Sequence, residues 1–153
     1  MATVQRFDDL NVWKSARKLS MLIFKQTQRL PFKTDLGHSR QINDASGSMM
    51  DNIAEGFGRG NRKEFIQFLG FSMGSTDEVK SQLYRAYDRS YISQEEFNHL
   101  YRKADQITKM VASFINYLKT SEHRGFKYNT QSSMAEEPQT TDYKPQTFII
   151  EEP

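Results

Sequence analysis

The sequence contains no cysteine. A disulfide framework, a thiolate nucleophile and a thiolate metal site are therefore excluded together. It also has no run of about 18 apolar residues, so no membrane span is expected. The first ten residues, MATVQRFDDL, lack the apolar segment of a signal peptide, which makes a cytoplasmic location the expectation. Histidine is scarce, with only His38, His99 and His123, and no Ser–His or Asp–His arrangement suggests an activated nucleophile. Glu96-Phe97-Asn98-His99 is a single Glu-x-x-His, whereas di-iron helix bundles use two such motifs and two further glutamates. No catalytic residue, metal, cofactor or small-molecule substrate is assigned, and the chain is not expected to be an enzyme. No stretch alternates polar and apolar residues over a useful length, which argues against strands.

What is present is helical periodicity. At 153 residues, 37% hydrophobic and 26% charged, the chain has the length and composition of one soluble domain. A first helix over about 8–30 carries Val12, Ala16, Leu19, Ile23 and Leu30 on one face, with Asp8 as its N-cap and Pro31 as its stop. A second, over about 35–55, repeats Ile42, Ala45, Met49 and Ile53 and is expected to end at Gly56. A third, over about 61–89, opens at Asn61 with Glu64 three residues on. The fourth, over about 94–120, follows a Ser93/Glu96 capping box, with Gly125 as a stop signal beyond it. The connections are short, so consecutive helices must be antiparallel neighbours, and the predicted fold is an all-α, up-down-up-down four-helix bundle over about 1–125.

The net charge of +2 hides a division. Residues 1–129 hold 20 Lys and Arg against 14 Asp and Glu, whereas residues 130–153 hold one against five. A basic body attracts polyanions. Residues 126–153 read as an acidic tail of disorder-type composition, ending in Phe148-Ile149-Ile150. That apolar patch is either an unstructured end or a docking element for a groove.

Charge placement sharpens the division. Lys14, Lys18, Lys25 and Arg29 lie within roughly 60° of one another on the first helix, and no acidic residue falls between Asp9 and Pro31. Exposed helices ordinarily mix signs; a one-sign stripe suits a phosphate backbone. The Gly-rich connection Gly56–Lys63 adds Arg59, Arg62 and Lys63 ahead of a helix N-terminus. It reads as a tight turn, with or without a phosphate contact. Asn52, Glu55 and Gly56 are assigned to bracing that turn. On the other flank of the first helix, Leu10, Trp13, Met21 and Phe24 are large apolar residues outside the core stripe and form a candidate oligomer interface, with Trp13 as anchor.

Three stretches carry a resemblance: Phe7-Asp8-Asp9-Leu10-Asn11-Val12-Trp13-Lys14, Asn52-Ile53-Ala54-Glu55-Gly56, and Glu64-Phe65-Ile66-Gln67-Phe68-Leu69 running on to Gly74-Ser75. Together they resemble the four-helix bundle proteins of intervening sequences in bacterial 23S rRNA genes. The match covers about residues 7–118, and departs from the family at Gly47-Ser48-Met49-Met50, where a Val-Ser-Ile-Pro type stretch is common. The resemblance implies an up-down bundle assembling into a homo-oligomeric ring, a pentamer, without enzymatic activity. A related branch, the accessory variability proteins of diversity-generating retroelements, implies nucleic acid (RNA or DNA) and a reverse transcriptase as partners. The expected function is thus a non-catalytic, ring-forming nucleic-acid-binding accessory protein. The alternative is an oligomeric protein-binding scaffold that uses the C-terminal tail.

Overall fold

The computed structural model describes residues 4–120, and the structural statements below concern these residues. The acidic tail, Phe148-Ile149-Ile150 and the stop signal at Gly125 lie outside them. Four helices are formed: α1 (Asn11–Thr27), α2 (Leu36–Gly58), α3 (Arg62–Asp88) and α4 (Gln94–Thr120). Among the described residues there is no strand.

Hydrogen bonds and ion pairs across the seams fix the directions. Ser20 meets Ser46 at 3.2 Å and Asn43 donates to Thr27 Oγ1 at 3.0 Å, so α1 and α2 run antiparallel. Ser72 donates to the Met49 carbonyl at 2.7 Å, Ser48 meets Ser75 at 3.0 Å, and Arg85 reaches Gln41 at 2.7 Å, which reverses α3 against α2. Lys80 pairs with Asp105 on α4 at 3.3 Å, and Arg29, just beyond the end of α1, donates to Glu96 on α4. Each helix packs on its sequence neighbours, and α1 closes the square against α4. The core is the stripe from each helix: Val12, Ala16, Leu19 and Ile23; Ile42, Met49 and Ile53; Phe65, Leu69, Val79 and Leu83; Leu100, Ile107, Val111 and Phe114.

Helix starts follow their caps. Asp35 accepts the His38 N–H at 3.1 Å to open α2, and Asn61 accepts from Lys63 and Glu64 to open α3. Before α4, the Ser93 N–H donates to Glu96 at 3.0 Å while the Glu96 N–H donates back to Ser93 at 3.1 Å. Several local expectations need correction. The first helix ends at Thr27, not near residue 30, so Leu30 lies beyond it and is 74% exposed rather than on the core face. Asp8 does not cap α1: it lies in a 3-10 turn, Phe7–Asp9, paired with Arg6 at 2.9 Å. Leu10 follows with extended backbone, and the helix begins only at Asn11. Gly56 does not end α2, which continues to Gly58; it is Gly60 that takes a positive φ of 70° in the turn. Phe32, assigned by periodicity to a connection, is buried at 1% exposure and belongs to the core.

Candidate nucleic-acid interface

The stripe on α1 forms because its residues share the helix face turned away from the core. Lys14, Lys18 and Lys25 are exposed. Among the described residues, none of the three has a carboxylate within ion-pair distance. Arg29 separates from them. Its Nη1 donates to Gln26 Oε1 at 3.0 Å and to Glu96 Oε2, so its charge is spent in tying α1 to α4. Glu96 is a strong partner: the Ser93 N–H, then Gln26, the Ser93 hydroxyl and Arg29 together pull its carboxyl down to about 2 against a partial cost of burial.

The stripe gains a member that sequence reasoning missed. Lys103 of α4 is half-buried beside the α1 seam. Burial first, and the charge of Lys18 second, hold its ammonium below the ordinary lysine range. A half-buried ammonium near a like charge is disfavoured, and a bound anion would relieve it. A helical wheel of α4 alone places Lys103 on a flank, but which helix it faces follows only from tertiary packing.

The other cationic group sits elsewhere, at the α2–α3 turn. Arg59 pairs with Glu55 at 2.6 Å and lies over the Phe68 ring at 5.1 Å, so it is engaged. Arg62 is half-buried and Lys63 exposed. The structure therefore does not merge Arg59, Arg62 and Lys63 with the α1 stripe. Of the assigned bracing residues, Glu55 does hold the turn, through Arg59. Asn52 acts one turn earlier, donating to the Ser48 carbonyl at 2.8 Å and Ser48 Oγ at 3.0 Å, and so secures the α2–α3 seam. Gly56 is a packing residue: a Cβ there would stand 2.6 Å from Phe68 Cβ and 2.9 Å from Phe65 Cδ2.

The apolar residues assigned to the flank of α1 differ in exposure. Met21 and Phe24 are 52% and 54% exposed, but Leu10 is fully buried and leaves the interface set. Its extended backbone turns the side chain inward, where the helical wheel does not apply. Trp13 is half-buried, edge-on to Phe7 at 5.0 Å with the Arg17 guanidinium 5.8 Å above it. Tyr84 and Tyr87, by contrast, stay partly exposed around Phe97 on the α3–α4 side.

Chemistry of other kinds finds little material. Among the described residues no group of three His, Cys, Asp or Glu side chains could hold a metal ion, and His99 is exposed. No helix among them is long and apolar enough to cross a membrane. The buried histidine is His38, whose Nε2–H donates to the Gln82 carbonyl at 3.1 Å. Burial, then the charge of Arg85, hold it below the ordinary histidine range.

Comparison with known proteins places this geometry. The model of a family described as 23S rRNA-intervening sequence protein matches residues 8–113. A crystal structure from Bacteroides thetaiotaomicron, of a protein of unknown function from the S23 ribosomal protein family, superposes with a TM-score of 0.62 at 21% identity. The match covers 68% of this chain and 97% of that one, and at this identity it shows a shared fold. No curated protein matches the chain.

Proposed function

The chain belongs to the 23S rRNA-intervening sequence protein family, and from that premise we propose that it is a non-catalytic accessory protein that binds the nucleic-acid backbone. The observation that carries this is the set Lys14, Lys18 and Lys25, exposed on α1 with no carboxylate within ion-pair distance among the described residues, with half-buried Lys103 of α4 near the charge of Lys18. Such a surface costs folding free energy through repulsion and is relieved by phosphates. Its contacts position a strand without reading it. Assembly into a ring, a pentamer, would place several copies of the stripe around one axis. The exposed Met21 and Phe24, with Trp13 beside them, are the surface offered for that contact. RNA, or a reverse transcriptase that handles it, is the partner class proposed, in the cytoplasm.

Binding of labelled RNA and DNA, followed by fluorescence anisotropy across a salt series, tests this directly. Four phosphate contacts per subunit give a log–log salt slope of about −3 to −4. Lys18→Glu with Lys25→Glu should abolish binding, while Lys119→Glu, on an exposed site near the end of α4, should change it little. Absence of binding at low salt would sink the proposal. For the ring, light scattering of Phe24→Asp is the measurement; a mass equal to that of the parent protein would remove this flank from the interface.

Exposed Met21, Phe24 and Phe71 also favour a second reading, an oligomeric protein-binding scaffold. It is distinguished by deleting residues 130–153: loss of a protein partner supports the scaffold, while tighter nucleic-acid binding supports competition by an acidic tail.

A further inference from the structure

Met21 is an apolar side chain set among cations. It is 52% exposed on α1, and its neighbours on the helix surface are the residues three and four positions away. These are Arg17, Lys18, Phe24 and Lys25, all exposed. None of the three cations has a carboxylate within ion-pair distance among the described residues. Phe71 and Tyr84, exposed on α3, lack this setting. At the same spacings Phe71 has Gln67, Phe68, Gly74 and Ser75, without a charge. Tyr84 has Asp88, together with Lys80, which is already paired with Asp105. A phosphate backbone would engage the cations around Met21 and leave its side chain unused. A segment that is both apolar and acidic would engage both.

The chain carries such a segment. Phe148-Ile149-Ile150-Glu151-Glu152, outside the described residues, puts three large apolar residues directly before two carboxylates, in a stretch (130–153) with one Lys against five Asp and Glu. It is also within reach. Arg29, just beyond α1, meets Glu96 in the first turn of α4, and the two helices pack together, so Thr120 lies at the end of the bundle where α1 begins. Met21 is about 15 Å along α1 from that end, and the chain from Thr120 to Phe148 spans up to about 90 Å. Resting on the backbone-binding reading above, we propose that this segment docks on the α1 face of its own chain, its apolar residues over Met21 and its carboxylates on Lys18 and Lys25. Nucleic acid then has to displace it. The flank offered to a neighbouring subunit, Phe24 with Trp13, lies on the other side of Met21, about 60–80° round the helix, so the two contacts adjoin there.

The test uses the full chain, labelled at its methionine methyls. In NMR spectra without RNA, the Met21 methyl, assigned by Met21→Leu, should shift when Phe148→Ser removes the ring beside it, while buried Met49 should not move. An unmoved Met21 signal overturns the docking. A difference that fades on dilution belongs to another copy's segment and overturns the intrachain contact. With RNA, followed by fluorescence anisotropy, Phe148→Ser with Ile150→Ser and, separately, Glu151→Gln with Glu152→Gln should each tighten binding about tenfold, as expected on freeing a face covered about nine-tenths of the time. Unchanged affinity in both overturns the competition. Leu36→Ser with Arg40→Glu alters exposed apolar and basic residues at the start of α2 and should leave affinity as it is. Tightening by that pair would place the segment there and overturn the proposal. No RNA binding at low salt overturns the nucleic-acid reading, and the Met21 shift, measured without RNA, still decides the docking. Circular dichroism of each variant confirms that helix content is kept.

Discussion

The α2–α3 seam and the α1–α4 seam are built on opposite terms. Between α2 and α3 the backbones come close: Gly56 admits Phe68 and Phe65, Ser72 donates to the Met49 carbonyl, and Ser48 and Ser75 share a hydrogen bond. Farther along the same seam His38 Nε2 donates to the Gln82 carbonyl, while His38 Nδ1, Gln82 Oε1 and Arg85 Nε are buried without a partner. Between α1 and α4 one ion pair, Arg29–Glu96, closes the upper end, and below it lie a groove and two lysines, Lys18 and Lys103. One seam is held by close backbone approach and direct hydrogen bonds. The other leaves a half-buried ammonium, Lys103, near the like charge of Lys18, the pattern expected where binding limits stability.

The sharpest way to break this comparison is Gly56→Ala. Phe68 Cβ, at 2.6 Å from the new methyl, is fixed close to its own backbone and cannot swing aside. Overpacking of this kind costs about 1–3 kcal/mol, against a helix-propensity gain of roughly 1 kcal/mol. A net loss, visible as a lower denaturation midpoint, is expected. Gly58→Ala, with nothing within 4 Å, is the control and should be neutral or stabilising. Equal effects at both positions would mean that the seam is looser than described.

The seams should also fail in different pH windows. His38, on the α2–α3 side, is held below its ordinary value of 6.5, so the unfolded chain takes up the proton more readily. Its contribution is complete above pH 6.5 and is lost as pH falls below that value. Glu96, on the α1–α4 side, is lowered from 4.5 to about 2. Its contribution is complete above 4.5 and is lost as pH falls toward 2. Urea midpoints measured from pH 8 to 3 should show two separate declines. His38→Gln should flatten the upper one, and Glu96→Gln should reduce the lower, to which the lowered Asp35 and Asp105 also contribute; a parent profile level between pH 7 and 5 would argue against a role for His38.

These contrasts explain what could be read from the sequence. The helices, the Asn61 cap and the Ser93/Glu96 box are local, set by residues within four positions of one another, and periodicity and spacing reveal them. The lysines of α1 were legible for the same reason, because they share one helix. Arg29 and Lys103 were not: whether a cation is spent or opposed depends on a residue on another helix, 67 positions away in the Arg29–Glu96 case. Leu10 was misplaced because a wheel was extended to a residue with extended backbone. Gly56 was read as a turn glycine because close helix approach and a positive φ both call for glycine, and spacing alone does not separate them.

The smallest effect is the most diagnostic. Lys103→Met keeps the apolar stem of the side chain and removes the ammonium. The half-buried charge and its repulsion from Lys18 disappear together, and stability should rise by a few tenths of a kcal/mol, roughly the size of one like-charge pair. Nucleic-acid affinity should fall at the same time, with the salt slope reduced by about 0.7–0.9, the loss of one phosphate contact. Opposite signs in the two measurements are what a binding surface demands. A structural lysine would lower both or neither. Lys119→Met, exposed and outside the seam, should leave both unchanged. If Lys103→Met destabilises the bundle, the α1–α4 seam is held together in the same way as the α2–α3 seam, and the contrast between them collapses.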